Sequence, residues 1–359
     1  MIKIIEFLTR MNALNRSWTK DETKEYQKMN DELLKELNAT LRPPAGKKTG
    51  KIGIFLFGQA GDLATATGVL KYIDVLFPNK EIIWYANLPN ADALRYSNVS
   101  EVRAWLWAGN GLPIGCPDYY PLLCVNNRLN MELKSQYPGT YDLEDGYFPA
   151  PHMVSSEKQD GIDYADCAKM IFGVPKEWEW HPVLQWSDEE REMVRSMMDS
   201  LPKGRKNILI ENYCGSGQSA HWNEDTTRKI MKICREKLGD VNFIFASHKS
   251  TGMNGADIMN SSFFDDIGCI GLEKLTVRQA SLAINYCDLM VCMSSGISVS
   301  TSAWGLRPVP KLQFCGSRKC STVALANGTI DLVTTDFKHI SATTIEFENK
   351  LKQILQTLC

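Results

Sequence analysis

Apolar residues in this chain gather into short unbroken runs separated by longer, mixed segments. Ile52-Gly53-Ile54-Phe55-Leu56-Phe57 and Glu81-Ile82-Ile83-Trp84-Tyr85-Ala86 have strand length and little polar alternation, as expected of strands covered on both faces. Between them, Gly58-Gln59-Ala60-Gly61 reads as a tight loop and Asp62 to about Phe77 as a helix. A strand, a helix and a second strand joined by short loops predict a parallel pair.

The second half repeats the alternation more cleanly. Strands are predicted at Asn207–Tyr213, Asn242–Ala246, Cys269–Gly271, Leu289–Met293 and Val309–Phe314. Helices are predicted at Glu224–Leu238, Val277–Tyr286, Ile297–Trp304 and Thr343–Leu358. Such alternation predicts a parallel sheet with helices on both faces. Residues 87–173 are less regular, with helices expected near 100–108 and 160–173. The stretch Val174–Arg205, rich in Pro and Trp around a charged helix at about 188–200, reads as the connection between two domains. A further helix over 20–42 starts at a Thr19 or Asp21 cap and ends at Arg42-Pro43-Pro44.

The length of 359 residues suits two domains. The organisation expected is an N-terminal helical extension over 1–43, an N-terminal Rossmann-like domain over 44–180, and a C-terminal one over 181–359. A formal charge of −2 offers no global attraction to nucleic acid or an anionic membrane. The eleven cysteines form no C-x-x-C pair, and several lie in apolar runs, a pattern that suits buried thiols in a reducing compartment. With no membrane-spanning run, and Lys3, Glu6 and Arg10 interrupting the apolar start, the expectation is a cytoplasmic protein. Ile4, Ile5, Leu8, Met11 and Leu14 make an amphipathic stripe, so membrane contact is peripheral at most.

In parallel sheets, ligands bind beyond the carboxyl ends of the strands. Three loops fall there. Gly58, Gln59 and Gly61 surround the start of a helix carrying Asp62, which reads either as an N-cap or as a general base facing a cleft. Gly215-Ser216-Gly217-Gln218-Ser219 clusters glycines and hydroxyls where a phosphate docks. It also fits G-x-G-x-x-A, but the next strand ends Ala246-Ser247-His248 with no ribose-binding acid, which disfavours a dinucleotide site. Ser294-Ser295-Gly296 is the third, able to meet a phosphate or simply to cap its helix through Ser295. The chain has no Asp-x-Asp and no zinc spacing among its five histidines, so no metal and no cofactor are expected.

These loops, in their order and spacing, resemble the heptosyltransferase-like family of GT-B glycosyltransferases. The likeness rests on IGIFLFGQAGDLATATGVLKYIDVLFP at 52–78 and LTVRQASLAINYCDLMVCMSSGISVSTSAWGLRPVPKLQF at 275–314, and more loosely on 207–247. The S-S-G loop followed by Ala303-Trp304-Gly305 is closest to the branch acting on autotransporter proteins. The resemblance implies two Rossmann-like domains facing a cleft and an inverting, metal-independent transfer. Asp62 would take the proton of the acceptor hydroxyl, near Gly58, Gln59 and Gly61. A nucleotide-diphosphate sugar, with a heptose among the options, would bind Gly215, Ser216, Gly217, Gln218, Ser219, His248, Ser294, Ser295 and Gly296. The acceptor would be a glycan, a lipid-linked sugar or a protein, not nucleic acid. In this fold family the final helix crosses back to the first domain.

The chain also departs from the family. Where lipopolysaccharide heptosyltransferases place a lysine before a tryptophan, it has Ala220-His221-Trp222; Ser294 replaces an aspartate and Val299 a histidine. Two other readings therefore stay open: a nucleotide-sugar epimerase or hydrolase using Asp62, Glu211, His221 or His248, and a non-catalytic nucleotide-sugar-binding protein.

Overall fold

A computed structural model describes residues 19–56, 60–86, 88–104, 147–148, 164–214, 220–221, 224–246, 269–293, 295–315, 329–333 and 345–359. The apolar stripe expected over residues 4–14 lies outside them. The chain divides into two units, Met1–Gln185 and Trp186–Cys359, where the sequence sets the boundary at 180/181. Among the described residues, no helix is long and apolar enough to cross a membrane.

The first unit opens with helix α1, Lys20–Thr40, capped by Thr19 through a reciprocal box with Glu22. Its end is bonded to the sheet of the same unit. Asn38 near its end donates to the Val102 carbonyl (2.9 Å) and accepts from the Val102 N–H (2.8 Å), so one side-chain amide pairs with the backbone of an edge strand. The strands are β1 (Gly50–Leu56), β2 (Lys80–Ala86), β3 (Glu101–Ala104) and β4 (Tyr147–Phe148), all parallel, in the order β3-β2-β1-β4. After β1 comes α2, Ala60–Ala66, which tightens into a 3-10 stretch at Thr67–Lys71 and ends in a last turn at Ile73–Leu76. The unit closes with α3, Tyr164–Phe172.

The helix expected near 100–108 is corrected to strand β3 over Glu101–Ala104. Its period is two: Val102 is buried, while Glu101 and Arg103 flank it and pair with each other at 2.8 Å. Arg103 also donates to the Tyr85 hydroxyl on the neighbouring strand (3.2 Å).

The second unit begins with α4, Asp188–Asp199, capped by Ser187. Its main sheet contains β5 (Lys206–Glu211), β8 (Val241–Phe245), β9 (Cys269–Gly271), β10 (Leu289–Met293), β11 (Lys311–Cys315) and β12 (Thr329–Val333). All are parallel, in the order β12-β11-β10-β5-β8-β9. The two-residue strands β6 (Tyr213–Cys214) and β7 (Ala220–His221) form a separate antiparallel ribbon. The helices are α5 (Glu224–Leu238), α6 (Val277–Ser281, continued as 3-10 to Tyr286), α7 (Gly296–Ser300) and α8 (Ile345–Gln356).

The two faces of this sheet differ in chemistry. Ile208, Ile210, Leu289, Val291, Met293 and Leu312 form one apolar core with α5 and α8. Alternation along the strands sends Glu211, Cys292, Lys311 and Gln313 to the other face, all buried. There Lys311 meets the Ser298 carbonyl of α7 (3.3 Å) and Ser302, and Thr301 donates to the Met290 sulfur (3.4 Å). Helix α8 was expected to cross back to the first domain. Its Phe347, Leu351, Ile354 and Leu355 are buried in the core of the second unit, while Ile345 is exposed.

Candidate functional site

Strand order decides where each sheet opens. In the second unit β5 is the first strand of the sheet; the chain then adds β8 and β9 on one side and β10, β11 and β12 on the other. The reversal therefore lies between β5 and β10, and in open α/β sheets the crevice beyond the carboxyl ends at such a reversal is where ligands bind. The segments leaving those two strands are the two candidate phosphate loops. Residues 215–219 follow β5, and 294–296 follow β10 directly. His248 follows β8, the other neighbour of β5. In the chain, the three donor-side segments thus come after three strands that are neighbours in the sheet.

Of the donor-side candidates, Ser295 and Gly296 are described. Gly215, Ser216, Gly217, Gln218, Ser219, His248 and Ser294 lie outside the described residues. The first loop is bracketed by the β6–β7 ribbon, in which Tyr213 pairs with His221 and Cys214 with Ala220. Ser295 is the N-cap of α7: its Oγ accepts the Ser298 N–H (3.2 Å), and the Ser298 Oγ accepts the Ser295 N–H (3.0 Å). The capping alternative for Ser295 is therefore real, and its hydroxyl proton is still a donor.

The sheet of the first unit reverses between β1 and β4. Asp62 lies on the helix that follows β1, half-buried, in the first turn. That helix starts at Ala60, so Asp62 is its third residue and not its N-cap. An acidic group there still gains from the helix dipole. Gly61 is half-buried beside it, and Gly58 and Gln59 lie outside the described residues.

What holds this helix comes from far along the chain, and periodicity gives no hint of it. The Trp180 indole Nε1 donates to the Thr65 carbonyl at 2.9 Å, and the Val183 N–H donates to Thr67 Oγ1 at 3.0 Å. The Tyr72 hydroxyl donates to the Glu179 carbonyl. The connection expected between the domains is thus anchored on the first unit as far as Val183. Its Trp186 belongs to the second, where the indole N–H donates to the Arg278 carbonyl (2.7 Å).

Glu211, named in the epimerase alternative, ends β5 and is buried. Among the described residues, no group of three or more His, Cys, Asp or Glu is placed to hold a metal. The thiols of Cys234 and Cys287 are buried, and burial pushes the first up to about 12, so neither is a nucleophile.

No family model matches the chain, and no curated protein does. Solved structures do. A glycosyl transferase of family 9 from Veillonella parvula aligns over 89% of this chain and 100% of its own, at 12% identity and a TM-score of 0.60. Escherichia coli ADP-heptose lipopolysaccharide heptosyltransferase II covers 86% and 100%, at 16% identity and 0.52. The E. coli heptosyltransferase WaaC, solved with ADP, covers the same shares at 11% identity and 0.52. With its paired parallel-sheet units, this chain has the GT-B type of fold shared by the heptosyltransferase-like glycosyltransferases.

Proposed function

We propose that the chain is an inverting, metal-independent glycosyltransferase of the cytoplasm that moves a sugar, a heptose among the candidates, from a nucleotide-diphosphate donor to an acceptor hydroxyl. One observation carries the reading: the candidate phosphate loops leave the two strands flanking the reversal of the second sheet, while Asp62 follows the strand beside the reversal of the first. Fold likeness to nucleotide-sugar transferases supports it by analogy.

In the step proposed, the acceptor oxygen bonds to the anomeric carbon and its proton passes to the Asp62 carboxylate. The bond from that carbon to the diphosphate breaks, and the diphosphate leaves with the electron pair. Backbone N–H groups and hydroxyls of the 215–219 and 294–296 segments offset the charge it gains. The acceptor class is a glycan, a lipid-linked sugar or a protein.

The test is a thermal-shift panel of ADP-, GDP-, UDP-, CDP- and dTDP-sugars, in which a donor at 100 times its Kd stabilises by about 2.7 kcal/mol. Release of nucleoside diphosphate from the best donor is then followed with excess chelator present. Asp62→Asn should lower turnover by roughly 10²–10⁴-fold while leaving donor stabilisation intact. A panel without any stabilising sugar ends this reading. Activity abolished by EDTA and restored by Mg²⁺ ends its metal-free part. Release needing no acceptor, and unchanged by Asp62→Asn, favours the hydrolase reading, in which Glu211 becomes the first acid to replace.

A further inference from the structure

We propose that Trp180, on the connection between the two units, is a positioning residue for Asp62. The inference rests on the reading of Asp62 as the general base. Its support is the way the connection grips one short length of helix.

Helix α2 is regular only through Ala66, and from Thr67 it winds as a 3-10 stretch. A change of winding within a helix leaves backbone carbonyls at the seam without their usual partners. Side chains take them here. Thr67 Oγ1 donates to the Ala64 carbonyl (2.6 Å), and the Trp180 indole donates to that of Thr65 (2.9 Å). Thr65 is completely buried, and its own Oγ1 donates to the carbonyl of Gly61 (2.9 Å), the residue next to Asp62. A continuous series of bonds therefore runs from the indole through Thr65 to the turn that carries the carboxylate.

The fit is steric as well as polar. A Cβ on Gly68 would stand 2.5 Å from Trp180 Cε2 and 2.6 Å from its Nε1, so only glycine lets the indole lie against the helix. The ring is 3% exposed and stacks at 6.0 Å on Phe172. The Val183–Thr67 and Glu179–Tyr72 bonds hold the segment on either side of it. The indole bond ties Thr65, and through its Oγ1 the first turn, to the connection. A base must keep hydrogen-bond reach to the proton it abstracts, and a displacement of about 1 Å can cost 10²-fold in rate.

Trp180→Phe keeps a ring in the pocket and deletes the N–H. The measurement is a cycle of the parent, Trp180→Phe, Asp62→Asn and the double variant. It follows nucleoside diphosphate released from the panel's best-stabilising nucleotide sugar, with water as acceptor. The expected result is a fall in kcat of roughly 10- to 100-fold for Trp180→Phe, an unchanged KM for the donor, and almost no further fall in the Asp62→Asn background. An Ile73→Val variant of the same core should leave kcat unchanged. Hydrogen exchange at residues 61–66 should quicken in Trp180→Phe without any donor. The inference is overturned if Trp180→Phe keeps the parent kcat, or if its effect is equally large in both backgrounds. If Asp62→Asn itself turns over like the parent, the base assignment has failed, a different result from a failure of Trp180 alone. Should Trp180→Phe not fold, Thr67→Val removes the oxygen that accepts the Val183 N–H and is judged by the same cycle.

Discussion

Arg278 and Glu190 meet in a bidentate pair, with Nη1 to Oε2 at 2.7 Å and Nη2 to Oε1 at 2.6 Å, and the arginine side chain is only 1% exposed. Gln279 adds a third bond to the same carboxylate at 2.9 Å. Glu190 also closes the capping box of α4 by accepting the Ser187 N–H, so one carboxylate ties α4 to α6. Burial works against its charge, but Arg278, Gln279 and the Ser187 N–H together outweigh it and hold the carboxyl below its ordinary value.

Removing either partner alone leaves a buried charge. Arg278→Met and Glu190→Leu should each cost about 3–5 kcal/mol, while the double replacement should cost clearly less than the two together. Because the folded-state pKa is depressed, the contribution of Glu190 is present above its ordinary value of 4.5 and lost as pH falls below it. Urea unfolding at several acidic pH values should show Glu190→Gln losing less stability on acidification than the parent.

Lys311 gives the opposite sign. It is 3% exposed on the polar face of the second sheet, where burial pushes it down to about 8 and the nearby Cys292 offsets this only in part. A lysine lowered from 10.5 to about 8 binds fewer protons folded than unfolded, so stability rises with pH between those values. The charged form costs on the order of 3 kcal/mol at neutral pH. Lys311→Met should remove that alkaline rise, giving a stability difference from the parent that shrinks or reverses between pH 8 and 10.5. A difference constant across this window would assign the slope to other groups.

Gly68→Ala tests the contact between helix and indole by itself. The added carbon would lie far inside the contact distance of Trp180, and both elements are buried. Overpacking of this kind costs about 1–3 kcal/mol. In Gly68→Ala combined with Trp180→Leu, the methyl meets a smaller neighbour, and the cost of adding it should fall. Equal costs in the two backgrounds, measured by denaturant unfolding, would show that the indole can move aside.

The sequence showed most of what depends on local pattern. Helix Glu224–Leu238 and strands Cys269–Gly271 and Leu289–Met293 stand where periodicity put them. Glu101–Ala104 was misread because four residues with a single buried valine carry too short a period to separate strand from helix. Edge strand β12 escapes the reading for a related reason: Thr329-Ile330-Asp331-Leu332-Val333 alternates over only two polar positions, and the sheet already has enough buried runs without it. At the site, glycines and hydroxyls mark the loops, and the adjacency of β5 and β10, the strands they follow, is a matter of strand order that no local window contains. The Trp180–Thr65 bond joins residues 115 apart in the chain, so composition could show a tryptophan-rich connection but not the carbonyl it serves.

At α8, family analogy and packing point in different directions. In the described structure Phe347, Leu351 and Leu355 are 1%, 0% and 0% exposed, and all three sit in one core with α5, β5 and β8. Lys229 on α5 also pairs with Glu348. A helix crossing to the first unit would contribute little to this core, whereas a helix built into it is required there. Leu351→Ala should therefore cost about 2–5 kcal/mol and Phe347→Ala about 3–5 kcal/mol. The two sheets belong to different units, so the loss should be local as well as large. Hydrogen exchange should quicken at residues 206–211, 224–238 and 241–245 in either variant and stay at the parent rate at 50–56 and 80–86. Faster exchange in the first sheet, with the second unchanged, would return the helix to the crossing position.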